Sequence, residues 1–263
     1  MNQSAFQLFS SKAAFFFALV FIFFTPIATA PMNVALFLTL VFLIISGNIK
    51  NHALIAWKNP ISRMSILLFL LFSIGTTWSI ANIEESLDIL KKYNELWYIA
   101  LLMPLFTSDK RRTIGINVFL IAMTGILLTT YLLKNGLITP IETMDFNRDH
   151  PMFTIDGGFK SHIVTNILMS FTVFIFAQRS ILAKGLIKIP YIILAYYSGY
   201  YSIFISTGTT GQILAITLIS FFFMQHFRWK SVFIIPLFWI LIVSYGLSNT
   251  NTSFNSILLK FQD

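Results

Sequence analysis

Three charged residues stand directly before an apolar stretch that is too short to cross a membrane. The run from Leu96 to Phe106 would cover only about 16 Å as a helix. We therefore expect this helix to begin earlier and to bring Lys91, Lys92 and Glu95 to the membrane surface. Lys91 and Glu95 are four residues apart and could pair on one helical face. The charges either line a wet site that binds a substrate, or form a surface pair beside a snorkelling lysine.

A turn rich in small residues lies at the start of another apolar stretch. It reads Ser-Thr-Gly-Thr-Thr-Gly-Gln over residues 206–212. Backbone N–H groups at a helix N-terminus favour anions, phosphate above all. A simple capped turn would have the same composition, and composition alone favours it. The candidate anion-binding residues in this turn are Thr207, Gly208, Thr209, Gly211 and Gln212.

Four tyrosines at helical spacing precede this turn, namely Tyr196, Tyr197, Tyr200 and Tyr201. Such rings can stack on sugars, although they more often pack inside the protein or lie at a membrane interface.

A polar loop over residues 134–161 supplies further candidates. Loops of this length without repetitive composition are usually functional or disordered. Arg148 is a candidate substrate-binding residue, and Asp145 and Asp149 could bind a cation. No ligand spacing supports the cation, so we predict no metal site. His162 follows the loop and is the candidate acid–base residue, although a histidine there more often caps a helix or bonds within a bundle.

The composition defines the kind of protein that must position these residues. The chain is 56% hydrophobic and 11% charged, and it contains 29 phenylalanines in 263 residues. Soluble domains are about 25% charged, so the sequence indicates an all-α, polytopic membrane protein. The net charge of +8 could suit nucleic acid. Because the basic residues flank apolar segments, the lipid bilayer is the predicted partner instead. The absence of cysteine excludes disulfides and thiolate chemistry.

The apolar segments predict nine membrane spans. The criterion is a run of about 20 mostly apolar residues. The first two segments are separated only by prolines and predict a tight helical hairpin. Ala28-Thr29-Ala30 also resembles a signal-peptide cleavage site, but the proline that follows opposes cleavage. The predicted spans lie near residues 13–30, 31–48, 64–81, 90–108, 113–133, 162–178, 187–206, 209–226 and 230–247.

The distribution of charge predicts the orientation of these spans. If the N-terminus is cytoplasmic, 12 of the 18 basic residues fall in cytoplasmic segments, and Asp109 is the only acidic residue there. This agrees with the positive-inside rule and places the C-terminus outside. Residues 1–263 are then a single transmembrane domain, with outer segments at 134–161 and 248–263.

Two segments resemble the bacterial O-antigen ligase and polymerase family. The first is Leu71–Phe106, where Trp78-Ser79 and Lys92-Tyr93 are similar to the family's Trp-Ser and its Lys-Tyr-rich entry into a Leu-rich helix. The second is Phe204–Ala215, which is similar to the family's Ser/Thr-Gly-Arg-Thr-Gly turn. A weaker resemblance extends over nearly the whole chain in span number and loop length.

The resemblance implies a glycosyltransferase of the bacterial inner membrane that acts in lipopolysaccharide biosynthesis. Its donor would be an undecaprenyl-diphosphate-linked glycan, and the acceptor of a ligase would be lipid A–core. Chemistry would occur on the periplasmic side without a cofactor or metal. Basic residues would hold the diphosphate, and a base would activate the acceptor hydroxyl.

The sequence departs from the family pattern in three places. Thr209 stands where the family turn usually has arginine, and Asn94 stands where many relatives have a basic residue. The chain also stops at Asp263, at the start of what would be a larger periplasmic loop, so we expect a fragment, a truncated product or a degenerate paralogue. The alternatives are a polymerase of the same family, a secondary transporter or flippase, and a non-catalytic membrane protein.

Overall fold

The computed structural model describes residues 5–80, 82–139, 160–206 and 209–248, and within these ranges it is helical without any strand. Arg148, Thr207 and Gly208, together with most of the outer segments 134–161 and 248–263, lie outside the described residues. The helices are α1 (Ala5–Phe24), α2 (Thr29–Ile45), α3 (Ile49–Lys58), α4 (Pro60–Gly75), α5 (Ile83–Lys92), α6 (Glu95–Leu102), α7 (Asp109–Lys134), α8 (His162–Leu182), α9 (Lys188–Tyr200), α10 (Thr209–Phe227) and α11 (Ser231–Ser248).

Several of these helices have the length and composition to cross a bilayer, which indicates a membrane protein that is helical throughout its described residues. Five stretches are long and apolar enough, or six if α2 and α3, which meet at a bend of 115°, count as one span. The nine predicted spans are therefore reproduced only in part. The five stretches are Ala5–Phe24, Pro60–Trp78, Asp109–Lys134, His162–Leu182 and Thr209–Tyr245.

The chain divides into two compact units, which are described separately. Unit 1 comprises Met1–Thr25 and Thr29–Phe119, and unit 2 comprises Pro26–Ala28 and Leu120–Asp263. Helix α7 begins in the first unit and ends in the second.

Unit 1 contains the predicted hairpin of the first two spans. Ala14 and Ala18 on α1 are fully buried and cluster with Leu43 of α2. Small side chains let two membrane helices approach closely, which favours van der Waals packing between them. Phe17 and Phe42 stack across the pair with ring centroids 5.4 Å apart. The hairpin prediction is confirmed, although α1 begins at Ala5 rather than near residue 13.

The prediction of one continuous helix through residues 90–108 is wrong. Helix α5 ends at Lys92, and α6 begins separately at Glu95. The predicted Lys91–Glu95 pair is also wrong, since Lys91 Nζ lies 2.7 Å from Asp88 Oδ1. The reason is that Tyr93 and Asn94 donate to carbonyls three residues earlier, which ends the α-helical pattern of α5 before α6 begins.

Helix α5 is an amphipathic surface helix rather than part of a span. Its apolar residues Ile83, Leu87 and Ile89 are exposed, and its other face is charged. Acidic residues occupy its first turn and lysines its last, which complements the helix dipole. A helix of this pattern lies in the membrane interface with its apolar side towards lipid.

In unit 2, α8, α9, α10 and α11 run in alternating directions. The last two, α10 and α11, make up the stretch Thr209–Tyr245, which is a hairpin rather than one straight span, because Trp239 Nε1 donates to Ser220 Oγ at 3.1 Å. The same residues in one straight helix would be about 28 Å apart. The chain reverses at Arg228, whose φ of 46° is in the left-handed region. The beginnings of α8 and α10 therefore lie at the same end of unit 2 as the ends of α9 and α11, and we call this the polar end.

Candidate functional site

The polar end of unit 2 is built around a break in α9. The helix widens into one π-helical turn, Tyr201–Ile205, in which the N–H of Ser206 donates to the carbonyl of Tyr201 at 2.9 Å. Because this N–H bonds to the carbonyl five residues earlier instead of four, nearby carbonyls lose the donors that an α-helix would provide. Inside a membrane protein such groups must find partners within the protein, and π-helical turns are frequent at functional sites.

Two buried amide side chains supply those partners. Gln212 Nε2 donates to the carbonyls of Ile203 and Ser206, at 3.2 and 2.9 Å. Asn166 Nδ2 donates to the carbonyl of Ser202 at 3.3 Å. Asn166 is fully buried and Gln212 almost so. Uncharged side chains from α8 and α10 thus satisfy the broken end of α9 without a buried charge.

Gly211 allows α10 to approach α8 at this point. A Cβ atom there would lie 2.5 Å from Cγ of Asn166 and 2.6 Å from its Cβ. Such distances are closer than atoms can pack, so only glycine fits. The hydroxyl of Ser170, one turn after Asn166, lies 2.8 Å from the carbonyl oxygens of both Gly211 and Asn166, so its single hydrogen is shared between them. The close approach therefore adds a hydrogen bond between the two helices.

Helix α9 meets α8 through small residues. Ser198 and Ser202 are four apart and fully buried, and within the described part of the chain their hydroxyls have no hydrogen-bond partner. A Cβ added at Gly199 would lie 3.8 Å from Val173 Cγ1, in ordinary contact. Small residues at this spacing are typical of close packing between membrane helices.

The structure brings several sequence-predicted residues to the polar end. Thr209 begins α10, with Gly211 and Gln212 in its first turn. His162 begins α8, where Ser161 Oγ accepts the N–H of Val164 at 3.5 Å. His162 precedes Asn166 by four residues and therefore shares its helical face.

A cluster of aromatic rings and one lysine completes the polar end. The Tyr131 hydroxyl donates to the carbonyl of Tyr197 at 3.3 Å. Tyr200 and Tyr245 share a hydrogen bond. The ammonium group of Lys134 lies 5.5 Å from the centre of the Tyr200 ring, which is within the range of a cation–π contact.

A groove of about 510 Å³ extends from these tyrosines into unit 2. It is bounded by α8, α9, α10 and α11. Tyr200 and Tyr245 lie towards the polar end, and side chains such as Phe222, Phe223 and Phe238 line the remainder. The wall of the groove is therefore mostly apolar, and Lys134 lies beside Tyr200, one of the residues that line it.

The other predicted residues lie in unit 1. Lys91, Lys92 and Glu95 are exposed around the turn between α5 and α6. The hydrogen bond and positive charge of Lys91 lower the pKa of Asp88 below its ordinary value. Within the described ranges, no three His, Asp or Glu side chains gather as metal ligands would.

Asn166 and Ser170 are the site residues that the sequence analysis missed. Their signal is a pair of polar residues, four apart, within a largely apolar helix. Their role can be recognised only once the break in α9 beside them is known, and no local pattern on α8 reveals that break.

No family model, curated protein or solved structure matches the chain. The class of protein therefore follows from its own helices. It is a membrane protein whose described residues are helical, with a buried, uncharged hydrogen-bond network at one end of its second unit.

Proposed function

We propose that the protein transfers a glycan from a lipid diphosphate carrier in the synthesis of bacterial surface polysaccharide. The donor is an undecaprenyl-diphosphate-linked glycan and the acceptor is lipid A–core, as for an O-antigen ligase. The proposal starts from the two segments that resemble that family, 71–106 and 204–215. A polymerase of the same family is the alternative, and the experiment below separates the two by product.

The observation that carries the proposal is the groove of unit 2 with its polar end. A polyprenyl tail is long and apolar, and the groove offers aromatic and aliphatic walls of the same character. A diphosphate is anionic, and Lys134 stands over Tyr200 at the end of the groove. One surface therefore suits both parts of the donor.

The turn before α10 supports the same assignment. Thr209 begins a helix of 19 residues, whose first N–H groups favour an anion. Gln212 and Asn166 donate to backbone carbonyls at the broken end of α9. In this proposal they therefore hold the turn in shape and do not contact the ligand. His162 is the proposed base for the acceptor hydroxyl, because it begins α8 on the face that carries Asn166.

In the proposed topology the polar end faces the periplasm, the N-terminus is cytoplasmic and the bilayer is the inner membrane. The basic segments at the other side of the predicted spans support this orientation. Reaction on the periplasmic side would require no nucleotide, since the diphosphate carrier itself is the leaving group.

The test is a deletion strain and a transfer assay with the purified full-length chain. The deletion should remove long-chain polysaccharide from lipid A–core, and the plasmid-borne gene should restore it. In the assay, Lys134→Ala should slow consumption of lipid-linked glycan by at least tenfold. Lys230→Ala, at the opposite end of α11, is the matched control and should behave as the wild type.

Each result has a defined meaning. Product on lipid A–core supports the ligase, while longer glycan that stays on the carrier indicates the polymerase. Unchanged surface glycan in the deletion strain contradicts both. Uptake of a substrate into proteoliposomes without glycan transfer would establish a transporter instead.

A further inference from the structure

Unit 1 has a groove of about 700 Å³ that runs along α2 and ends at α3. Along α2 its lining extends from Asn33 to Leu43, which is a distance of about 15 Å in a helix. This is half of the hydrocarbon thickness of a bilayer, which is about 30 Å. Phe37 and Leu40 in this wall are exposed, so a molecule in the surrounding bilayer can reach the groove. The groove therefore matches the depth of one lipid leaflet.

Helix α3 lies across the end of α2 and covers one end of the groove. The two helices meet at a bend of 115°, and a candidate span begins directly after α3 at Pro60. A short helix between two spans, with an apolar stripe on one side, is typical of helices that lie at a membrane surface. The stripe of α3 faces the groove at spacings of three and four residues and consists of Ile49, His52, Ala53, Ala56 and Trp57.

The same end of unit 1 carries exposed positive charge. Lys50 and Lys58 on α3 and Arg63 near the start of α4 are exposed, and no ion pair among the described residues neutralises them. Lys50 lies in the first turn of α3, and the preceding Asn48 makes no side-chain cap bond. The first N–H groups of a helix have no partner within it and favour an anion. The corner between α2 and α3 therefore favours a negative charge at the end of the groove.

Arg111 adds to this charge from another element. Its guanidinium donates to the carbonyl of Leu105 at 3.4 Å, and the 3₁₀ turn Met103–Phe106 that contains Leu105 contacts α3. Asp109 is the only acidic residue in the segments 5–83 and 103–119, and it pairs with Arg112. The end of unit 1 at α3 is therefore strongly basic.

We propose that this groove binds an anionic phospholipid. One acyl chain lies along α2, and the phosphate lies at the α3 end, where Lys50 and Arg111 attract it. Basic pockets beside membrane spans commonly bind acidic headgroups. A second copy of the chain docked through this face would bring the same positive charges together, which is unfavourable. The inference uses unit 1 alone and does not depend on the proposed function.

Quenching of tryptophan fluorescence measures this binding, because Trp57 on α3 lines the groove. Purified full-length protein is reconstituted in phosphatidylcholine vesicles that contain a small fraction of lipid brominated on the acyl-chain carbons nearest to the headgroup. Bromine quenches tryptophan only at short range. Brominated phosphatidylglycerol should quench more strongly than brominated phosphatidylcholine at the same mole fraction. Trp57→Phe should remove most of this difference.

Further variants separate the charge from the groove. Lys50→Ala should weaken the preference for phosphatidylglycerol about fivefold, as expected for one basic residue near a membrane surface. Ala53 is exposed and lines the groove, so Ala53→Phe should block it and abolish the preference while every charge remains. Ala53→Ser should bind as the wild type does. So should Lys188→Ala, the matched control, because Lys188 is an exposed lysine in the first turn of α9 in unit 2. Circular dichroism checks that each variant is folded.

Three results would overturn the inference. Equal quenching by the two brominated lipids in the wild type would show that the groove does not select an anionic headgroup. An undiminished preference in Ala53→Phe would show that headgroups gather at the basic surface without a chain in the groove. Glycerol 3-phosphate, which has the phosphate but no acyl chain, should leave the quenching unchanged at millimolar concentration. If it abolishes the preference, the site binds a soluble phosphate instead of a lipid.

Discussion

Both units contain hydroxyl groups that bond within their own helix, but unit 2 also contains side-chain hydrogen bonds between residues far apart in the sequence. In unit 1, Thr39, Ser73 and Thr76 donate to carbonyls three or four residues earlier on the same helix. In unit 2, Asn166 Nδ2 donates to a carbonyl 36 residues away. The Ser170 hydroxyl lies 2.8 Å from a carbonyl 41 residues away and 2.8 Å from one four residues earlier. The first kind of bond satisfies a side chain, whereas the second joins helices.

This difference has an energetic consequence. A hydroxyl that bonds within its own helix finds the same partner whenever that helix forms, so the bond contributes little to tertiary structure. A bond from Asn166 to a broken helix exists only when α8 and α9 are packed. The free energy of unfolding should therefore respond strongly to changes at the polar end of unit 2 and weakly to local bonds and surface charges in unit 1.

Gly211→Ala should lower the free energy of unfolding more than any other change considered. The new Cβ would lie 2.5 Å from Cγ of Asn166, so α10 must move away from α8 and the Ser170 bond must lengthen. Overpacking of this kind costs about 1–3 kcal/mol, and we expect the upper end because the new atom also meets Cβ of Asn166, which is fixed to the backbone. Reversible unfolding in mixed detergent micelles measures the change.

Gly125→Ala is the matched control for that substitution. Gly125 lies in α7, and a Cβ there would meet nothing within 4 Å. Alanine favours a helix over glycine, so this variant should be neutral or slightly more stable. Equal destabilisation by both changes would show that the contact with Asn166 does not determine the packing of α10.

Gln212→Leu should have the next largest effect. Leucine keeps the bulk but removes the donor that satisfies the carbonyls of Ile203 and Ser206. Leaving buried acceptors without a partner costs about 1–3 kcal/mol, and we expect a loss of about 2 kcal/mol in the same unfolding measurement. Loss of the π-helical turn should also speed exchange of the Ser206 amide hydrogen.

The control for Gln212 is another glutamine that bonds at the surface. Gln178 Nε2 donates to Gln225 Oε1 at 2.7 Å in an exposed pair. Gln178→Leu should change the free energy of unfolding by less than about 0.5 kcal/mol. If the two glutamines prove equivalent, burial of the Gln212 bonds is not what stabilises the polar end.

The same contrast explains how much could be predicted from the sequence. Hydropathy identified the helical membrane class and the α1–α2 hairpin, because both depend on runs of apolar residues. Thr209, Gly211 and Gln212 were found because a small-residue turn has a local signature. Asn166 was missed, and the Lys91–Glu95 pair was wrong, because each depends on where a neighbouring helix breaks.

In unit 1 the local hydrogen bonds that stabilise the fold most should be those of the N-cap of α4. Asn59 Oδ1 accepts the N–H groups of Ile61 and Ser62, at 3.0 and 3.2 Å. Loss of such a cap costs about 1 kcal/mol, so Asn59→Ala should lower stability by about that amount. Asn48 precedes α3 without a side-chain cap bond, so Asn48→Ala should have no measurable effect. If Asn48→Ala destabilised the protein more than Asn59→Ala, the more important cap would be that of α3.

Lys91→Ala should change the free energy of unfolding least. Lys91 lowers the pKa of Asp88 mainly through a hydrogen bond and then through its charge, while Lys92 contributes less. Removal of Lys91 should return the pKa of Asp88 towards its ordinary value of about 3.9. Carboxyl carbon shifts during an NMR titration measure it, and Lys92→Ala should shift that pKa less.

Stability should follow the sign of this shift. A lowered pKa stabilises the folded state above the ordinary pKa, and the contribution disappears as the pH falls through the lowered value, below about pH 4. Because both side chains are largely exposed, solvent and salt screen the pair. At pH 7 the Lys91→Ala variant should unfold like the wild type. A loss as large as that of Gln212→Leu would mean that surface charge in unit 1 stabilises the fold as strongly as the buried network of unit 2.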